Sequence, residues 1–157
     1  MFGSSRSKPH ASVPQGVHMY FSADDVIVAA MHQNLAGIYY EQSAPTVIQG
    51  MPSTLQLGAA FREAFEKFSI QDANLRDFNR SEWPAFKGSA FKSPKEFERT
   101  YRRVAAFGIN ASNAVVRAST PHPTHPTIEL SVSFNPLGQS EQIGLSLMQL
   151  LEAARAS

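Results

Sequence analysis

The sequence predicts an α+β fold in which a mostly antiparallel sheet carries about three packed helices. Two observations lead to this prediction. Segments of strand composition lie toward both ends of the chain, and segments with a helical spacing of apolar residues lie between and after them. The resulting order is short strands, helix, connector, helix, three strands, helix. It lacks the regular strand–helix alternation of a parallel doubly wound sheet.

Two of the predicted helices open in the same way. Segments 53–69 and 140–154 each begin at a serine, and each then places a glycine directly after a large apolar residue, at Gly58 and at Gly144. Glycine in a helix interior costs about 1 kcal/mol relative to alanine. A glycine in the same frame of both helices therefore indicates that another segment packs closely against each first turn.

The first of these helices has clear signals for its start and its buried face. Ser53 and Gln56 have the capping-box spacing, in which their side chains satisfy backbone N–H groups at the helix start. Glu63 and Lys67 form a favourable i,i+4 pair on the outside. The apolar stripe recurs at steps of four, four and three residues and consists of Leu57, Phe61, Phe65 and Phe68.

A second helix is predicted to begin at Ser93. Pro94 suits the first helical position, and Glu96 completes a second capping box. The residues that then follow at helical spacing are Phe97, Tyr101 and Val104, with Glu98 and Arg102 as an outer pair. Residues 70–92, between this helix and the first, have no clear period, and we expect an irregular connector with one short turn.

Strands are predicted before the first helix. Residues 17–21 and 26–30 are short apolar runs, although a run this short does not by itself separate strand from helix. Residues 36–41 and 46–48 are rich in aromatic and β-branched side chains. The four residues between them, QSAP, suit a hairpin.

Three further strands are predicted before the last helix, at 105–109, 114–118 and 127–134. In the third of these, apolar residues alternate with polar ones. Such alternation gives one buried and one solvent-facing side, as in an antiparallel sheet. The last helix should then begin at Ser140.

Length and composition bound the class of protein. The 157 residues suit one domain at 17–157, preceded by an arm at 1–16 that is rich in Ser, Pro and Gly. The chain has no cysteine, which excludes disulfides, thiolate nucleophiles and cysteine-ligated zinc. We find neither a secretory signal nor the run of about 18 apolar residues that spans a membrane. We expect a soluble, cytoplasmic protein.

Charge is unevenly distributed, although the net charge is only +1. Between residues 18 and 61 the charged residues are Asp24, Asp25 and Glu41, all acidic. Between residues 76 and 103, eight basic residues outnumber four acidic ones. Such asymmetry can steer a charged partner, whereas an ordinary solvated surface is the simpler interpretation of either region.

The sequence predicts no catalytic residue, no cofactor and no metal. His122 and His125 have a spacing that could ligate a metal, but a proline-stiffened loop between strands explains them better, because zinc sites need more ligands on rigid elements. The chain also lacks a nucleophile elbow, a dinucleotide-binding glycine motif and a phosphate-binding P-loop.

Asp24 and Asp25 form the only adjacent acidic pair. Paired carboxylates can perform acid–base chemistry, and His18 and His32 flank this segment, so a hydrolase or metal enzyme centred on the histidines is one open alternative. The pair follows a serine, however, as in a turn or a helix cap, and we favour that interpretation.

A second alternative is a small nucleic-acid-binding protein that uses the basic segment 76–103. Aromatic side chains in this segment could stack on bases. Phe97 and Tyr101, however, lie on the predicted buried stripe, which would remove the stacking surface from a basic face.

The order of motifs resembles a known family. Residues 57–64 have the form Leu-Gly-x-Ala-x-Arg-x-Ala, residues 92–97 have the form Lys-Ser-x-x-x-Phe, and a closing helix carries the Ile-Gly pair at 143–144. With the strands between them, these motifs resemble the immunity proteins of bacterial contact-dependent growth inhibition systems, over about residues 35–154. In two respects the chain departs from the family: Pro94 stands where a bulky residue is more usual, and the net charge is nearly neutral.

The resemblance implies a cytoplasmic binding protein without enzymatic activity. Its partner would be the C-terminal toxin domain of a cognate effector, often a nuclease, held in a heterodimeric complex. No small-molecule substrate, direct nucleic-acid contact or membrane contact is expected. On electrostatic grounds, we predict that Asp24, Asp25 and Glu41 face a positive surface of the toxin, which would raise the rate and specificity of association.

Overall fold

A computed structural model describes residues 14–72, 82–110, 112–120 and 128–156. The strands in this part of the chain are β1 (Gly16–Phe21), β2 (Asp25–Gln33), β3 (Tyr39–Glu41), β4 (Thr46–Gln49), β5 (Ser69–Ile70), β6 (Arg102–Asn110), β7 (Asn113–Thr120) and β8 (Ile128–Phe134). The helices are α1 (Thr54–Glu66), α2 (Pro84–Gly88), α3 (Pro94–Thr100) and α4 (Ser140–Ala156). The predicted α+β class is confirmed.

The described strands form one sheet in the order β3-β2-β1-β6-β7-β8, and β4 and β5 also pair with β2. Every pairing is antiparallel except that of β5 with β2. Centrally, β1 lies between β2 and β6, with Met19 opposite both Val28 and Val104. The sequence prediction of three consecutive antiparallel strands before the last helix is confirmed.

The prediction of a hairpin through the QSAP segment at 42–45 is wrong. Both β3 and β4 pair antiparallel with β2, at Met31–Gln33 and at Asp25–Val28 respectively. They are therefore successive partners of one long strand, and the true hairpin turn lies at 34–38. The ambiguous run at 26–30 is the middle of β2, where Ile27 and Val28 are fully buried.

Helices α1 and α4 cover one face of the sheet. The core beneath them contains β-strand side chains at alternating positions, such as Val17, Met19 and Phe21 of β1. The helices add a set of apolar residues that includes Leu57, Phe61, Phe65, Ile143, Leu147, Leu150 and Leu151. In β8, Glu129, Ser131 and Ser133 are exposed, whereas Leu130, Val132 and Phe134 pack on this core, as the alternation predicts.

Gly58 and Gly144 lie where α1 and α4 cross. A Cβ atom built on Gly58 would be 1.6 Å from the carbonyl oxygen of Ser140, and one built on Gly144 would be 1.8 Å from that of Thr54. Each glycine thus packs on the first turn of the other helix. The expected close approach is confirmed, and the approaching segment in each case is the partner helix.

The helix starts follow the sequence signals in part. Ser53 caps α1 with both hydrogen bonds of the capping box, whereas the side chain of Ser93 makes no capping hydrogen bond although Pro94 occupies the first turn of α3. The second capping box was therefore predicted wrongly. Helix α3 also ends at Thr100, so Tyr101 terminates it and Val104 lies in β6.

On the opposite face of the sheet the short helices cover β1 and β2, and among the described residues no helix packs over β6 to β8. A second, smaller core lies here, formed by Tyr20, Ile27, Ala85, Phe97 and Tyr101. Trp83, Phe86 and Phe91 pack against it from the connector and from α2. On the same face farther along the sheet, Arg103, Arg117 and Glu129 are exposed. The candidate site lies in the covered part.

Gly58→Ala and Gly144→Ala should each lower the free energy of unfolding by about 3 kcal/mol or more, because the added methyl group meets backbone that cannot move without separating α1 from α4. An unhindered helix interior would instead gain about 1 kcal/mol from this change. Urea denaturation measures the effect, and Gln149→Ala on the exposed side of α4 is the control. A glycine variant as stable as the parent would contradict the close packing.

Candidate functional site: a buried carboxylate network

Strand β1 presents two polar aromatic side chains to the second core. Val17, Met19 and Phe21 enter the main core, so His18 and Tyr20 point to the opposite face, because side chains alternate along a strand. The pairing of β2 with β3 places Glu41 opposite Met31 on that same face. Three strands thereby bring a carboxylate, an imidazole and a phenol together.

Glu41 is the centre of this group. The residue is only 8% exposed. Its Oε1 atom lies 3.1 Å from Nδ1 of His18 and accepts a hydrogen bond from the hydroxyl of Tyr20. Its Oε2 atom accepts a hydrogen bond of 3.1 Å from the backbone N–H of Ala85, in the first turn of α2. One buried carboxylate thus joins β1, β3 and α2.

These contacts keep the carboxylate ionised. Burial raises the pKa of Glu41, but the hydrogen bonds from His18 and Tyr20, together with the charge of His18, outweigh burial and hold the pKa below its ordinary value. The pKa of Tyr20 is raised, first by burial and then by the adjacent negative charge of Glu41. Tyr20 therefore remains a neutral donor.

Asp25 forms a second buried group at the turn between β1 and β2. Its Oδ1 atom accepts hydrogen bonds from the hydroxyls of Tyr101, at 2.6 Å, and Ser22, at 2.7 Å. The Ser22 hydroxyl oxygen in turn accepts hydrogen bonds from the backbone N–H groups of Asp24 and Asp25. The serine-turn interpretation of this acidic pair is confirmed, and Tyr101 fastens the end of α3 to the turn.

The two carboxylates are separated by an aromatic cluster. Phe97 is fully buried, with its ring centroid 4.6 Å from that of Tyr101 and 4.8 Å from that of Trp83. Tyr20 contacts both Trp83 and Phe97. Phe97 and Tyr101, two buried aromatic residues of the basic segment, pack in the second core, so they cannot serve as a platform on which bases stack.

The structure therefore separates the three predicted partner contacts. Asp24 is exposed, whereas Asp25 and Glu41 are buried and hydrogen-bonded within the chain. As folded, the two buried carboxylates stabilise the packing of α2 and α3 on the sheet. That any of the three contacts a partner remains a prediction, with Asp24 placed for it.

The histidine–aspartate assembly considered from the sequence does not form. His18 pairs with Glu41, not with Asp24 or Asp25. No described hydroxyl is positioned beside His18 as a nucleophile, since Tyr20 donates to the carboxylate. His122 and His125 lie outside the described residues, and within the described part of the chain no group of three potential metal ligands occurs.

His32 is a second buried histidine with an unusual environment. It is 5% exposed, and its ring packs edge-on against Tyr40 at a centroid distance of 4.1 Å. Neither ring nitrogen has a hydrogen-bond partner within the part of the chain that the structure describes. Burial lowers its pKa, so the imidazole is neutral at pH 7. His32 lines an open cleft of about 590 Å³, whose other lining residues include Gln42, Gln71 and Lys87.

The sequence analysis considered His18 only beside Asp24 or Asp25, and it did not include Tyr20 or Tyr101 as partners of the acidic residues. One signal was present for the histidine and the tyrosine of β1, because they alternate with Val17, Met19 and Phe21 along β1 and must share the other face. Their pairing with Glu41 could not be foreseen, since it depends on the register of β2 with β3.

Comparison with known proteins gives a match in fold and none in sequence. No protein family and no curated protein matches the chain. A protein of unknown function from Neisseria meningitidis has the same fold, with a TM-score of 0.69 at 12% identity, covering 94% of this chain and 99% of that one. A chain of the CdiA-CT/CdiI toxin and immunity complex from Yersinia pseudotuberculosis gives a TM-score of 0.64 at 9% identity, with coverage of 88% and 96%.

At such identities the similarity is one of fold alone. It extends over nearly the whole of each chain, so the α+β architecture described above is shared as a unit. Separately, no helix within the described residues is both long enough and apolar enough to cross a membrane.

Glu41→Gln should lower the free energy of unfolding at pH 7 by about 3 kcal/mol, because the amide NH₂ replaces an acceptor that the buried donors require. The folded pKa is depressed, so the carboxylate's contribution is complete above the ordinary pKa of 4.5 and is lost as the pH falls through the lower folded pKa. The difference from the parent should therefore persist to pH 5 and shrink only below about pH 4.5.

Urea denaturation from pH 3 to pH 7 measures this difference. Glu63→Gln is the matched control, since Glu63 is exposed and its pairing with Lys67 contributes only a few tenths of a kcal/mol. Equal effects of the two substitutions would contradict the role assigned to the buried carboxylate.

His32→Leu should raise the free energy of unfolding at pH 7 by about 1 kcal/mol, because it removes two buried ring nitrogens that lack partners. The parent should lose stability as the pH falls below 6.5, since the unfolded chain binds a proton there that the folded imidazole does not. The variant should lose less over the same range. A destabilised variant at pH 7 would show that the imidazole makes favourable contacts.

Proposed function

We propose that the chain is a non-enzymatic immunity protein that binds and neutralises the C-terminal toxin domain of a cognate contact-dependent growth inhibition effector. The main support is the fold, which extends over nearly all of a chain from a toxin and immunity complex. The order of short motifs, which resembles this class of immunity protein, supports the same conclusion independently of the coordinates.

The chemistry of the candidate site agrees with a binding role. Its carboxylates are turned inward and are hydrogen-bonded to groups of the same chain, namely His18, Tyr20, Ala85 and Tyr101. Such a network rigidifies a scaffold, because each buried polar group has a partner and a fixed orientation. A rigid scaffold presents a preorganised surface, which lowers the entropic cost of association.

A binding protein and an enzyme differ in how they neutralise a toxin. A binding protein acts by stoichiometry, so one equivalent is needed for each toxin molecule. An inactivating enzyme would act below stoichiometry and would change the toxin covalently. The two mechanisms are therefore separable by titration and by mass measurement. We assign the stoichiometric mechanism to this chain.

Co-expression with the toxin domain encoded immediately upstream should restore growth, and the two chains should copurify as a heterodimer. Inhibition of the purified toxin should end at one equivalent of this chain, with the intact mass of the toxin unchanged. A toxin domain from an unrelated effector is the control and should remain active. A folded chain that neither copurifies with the upstream toxin nor protects against it would contradict the proposal.

A further inference from the structure

Folding removes negative charge from the surface that the described residues present. Of the acidic residues near the N-terminus, Asp25 and Glu41 are buried and engaged inside the fold. The basic residues Arg99, Arg103 and Arg117 remain exposed. The acidic region of the sequence therefore contributes little negative charge to the surface, whereas these arginines contribute positive charge to it.

These basic side chains line a groove on the open part of the sheet face, where α3 ends and β6 begins. The groove has a volume of about 620 Å³. Its lining includes four arginines and two glutamates. The guanidinium of Arg102 is bonded to Ala154 of α4, on the other face of the sheet, so the side chains that face the groove are positive by one charge. The charged residues are Arg99, Arg102, Arg103, Arg117, Glu98 and Glu129.

The fold holds the groove in a fixed shape. Tyr101, at the junction of α3 and β6, is fastened through its hydroxyl to Asp25. The guanidinium of Arg102 donates to the carbonyl oxygen of Ala154 near the end of α4. The antiparallel register, with Arg117 opposite Ala105, places Arg117 on the same sheet face as Arg103. The arginines thus project from rigid elements.

Two of the arginines are available for a partner's carboxylates. Among the described residues, no ion pair involves Arg99 or Arg103. Arg117 lies 3.6 Å from Glu129, and both side chains are more than half exposed. An exposed pair at this distance contributes little and can be exchanged for a partner at small cost. The planar guanidinium group suits two-point binding of a carboxylate.

We propose that this groove binds an acidic segment of the toxin domain, an inference that rests on the proposed function. Carboxylates fit the groove better than a nucleic-acid backbone does for two reasons. A nucleic-acid backbone carries a phosphate at every step and would have to place some of them beside the glutamates, whereas the carboxylates of a peptide can be spaced to meet the arginines alone. In addition, the neighbouring aromatic rings of Phe97 and Tyr101 are buried and cannot stack on bases. The interface is thus of opposite sign to the one predicted from the sequence.

The test removes three positive charges from the groove. A triple variant, Arg99→Gln, Arg103→Gln and Arg117→Gln, is compared with the parent for binding of the purified cognate toxin domain at several salt concentrations. The matched control, Arg62→Gln, Lys67→Gln and Arg155→Gln, removes the same charge from α1 and α4 and the residue that follows α1. Thermal denaturation verifies that both variants fold as the parent does.

The groove variant should weaken toxin binding about tenfold or more at low salt, chiefly through the association rate, and its affinity should depend less on salt. The control should bind within about twofold of the parent. Equal affinities of the parent and the groove variant, or equal losses in both variants, would show that the groove does not bind the toxin. Either result would leave the proposed immunity function standing. A parent that does not bind the toxin at all would overturn the proposed function as well.

A second arm distinguishes a nucleic-acid ligand. A single-stranded 20-nucleotide RNA is titrated with the parent and with the groove variant at low salt. Weak, equal binding to both supports a protein partner. RNA binding that the groove variant loses, while its toxin affinity stays unchanged, would overturn the proposal in favour of nucleic acid.

Discussion

The contact between the first turns of α1 and α4 is the constraint on which the rest of the structure depends. The two helices approach so closely that neither Gly58 nor Gly144 has room for a Cβ atom. This approach lets both helices reach the same face of the sheet, where Phe61 and Leu147 are buried together with the alternating side chains of β1, β6 and β7. Burial of this apolar surface is the main stabilising contribution to the domain.

Because both long helices occupy one face, β1 and β2 are covered on the other face by shorter elements. Helices α2 and α3 are too short to be stable alone, and they bury few apolar residues. Buried carboxylates therefore hold the two short helices on the sheet. Glu41 accepts a hydrogen bond from the N–H of Ala85 in α2, and Asp25 accepts one from the hydroxyl of Tyr101 at the end of α3. Charged hydrogen bonds of this kind are directional, so they also determine where the short helices lie.

This arrangement has a consequence for recognition. The acidic side chains that hold the second layer in place are withdrawn from the surface, while the arginines at its edge stay in solvent. The surface that a partner meets is consequently more basic than the sequence order of charges indicates. Electrostatic complementarity acts on exposed groups, because buried and paired charges contribute little to long-range steering.

Local sequence signals were sufficient where neighbours in the chain decide the structure. The capping box at Ser53, the alternation of β8 and the position of the last helix all follow from residues a few positions apart, and all are confirmed. Close packing at each glycine was also indicated by sequence, because glycine in a helix interior has no local advantage. The structure identified the packing segment as the other helix.

Long-range pairing decided the features that local signals did not specify, namely the partners of the buried carboxylates and the order of strands beside β2. The partners of Glu41 are 21 and 23 positions away in β1 and 44 positions away in α2, and no spacing in the sequence specifies them. The successive pairing of β3 and β4 with β2 is equally non-local. The sequence by itself determined the α+β class, the two long helices and the close packing of another segment at each glycine. Only the tertiary structure decided which charges are buried, because burial depends on strand register and on the layer that packs above it.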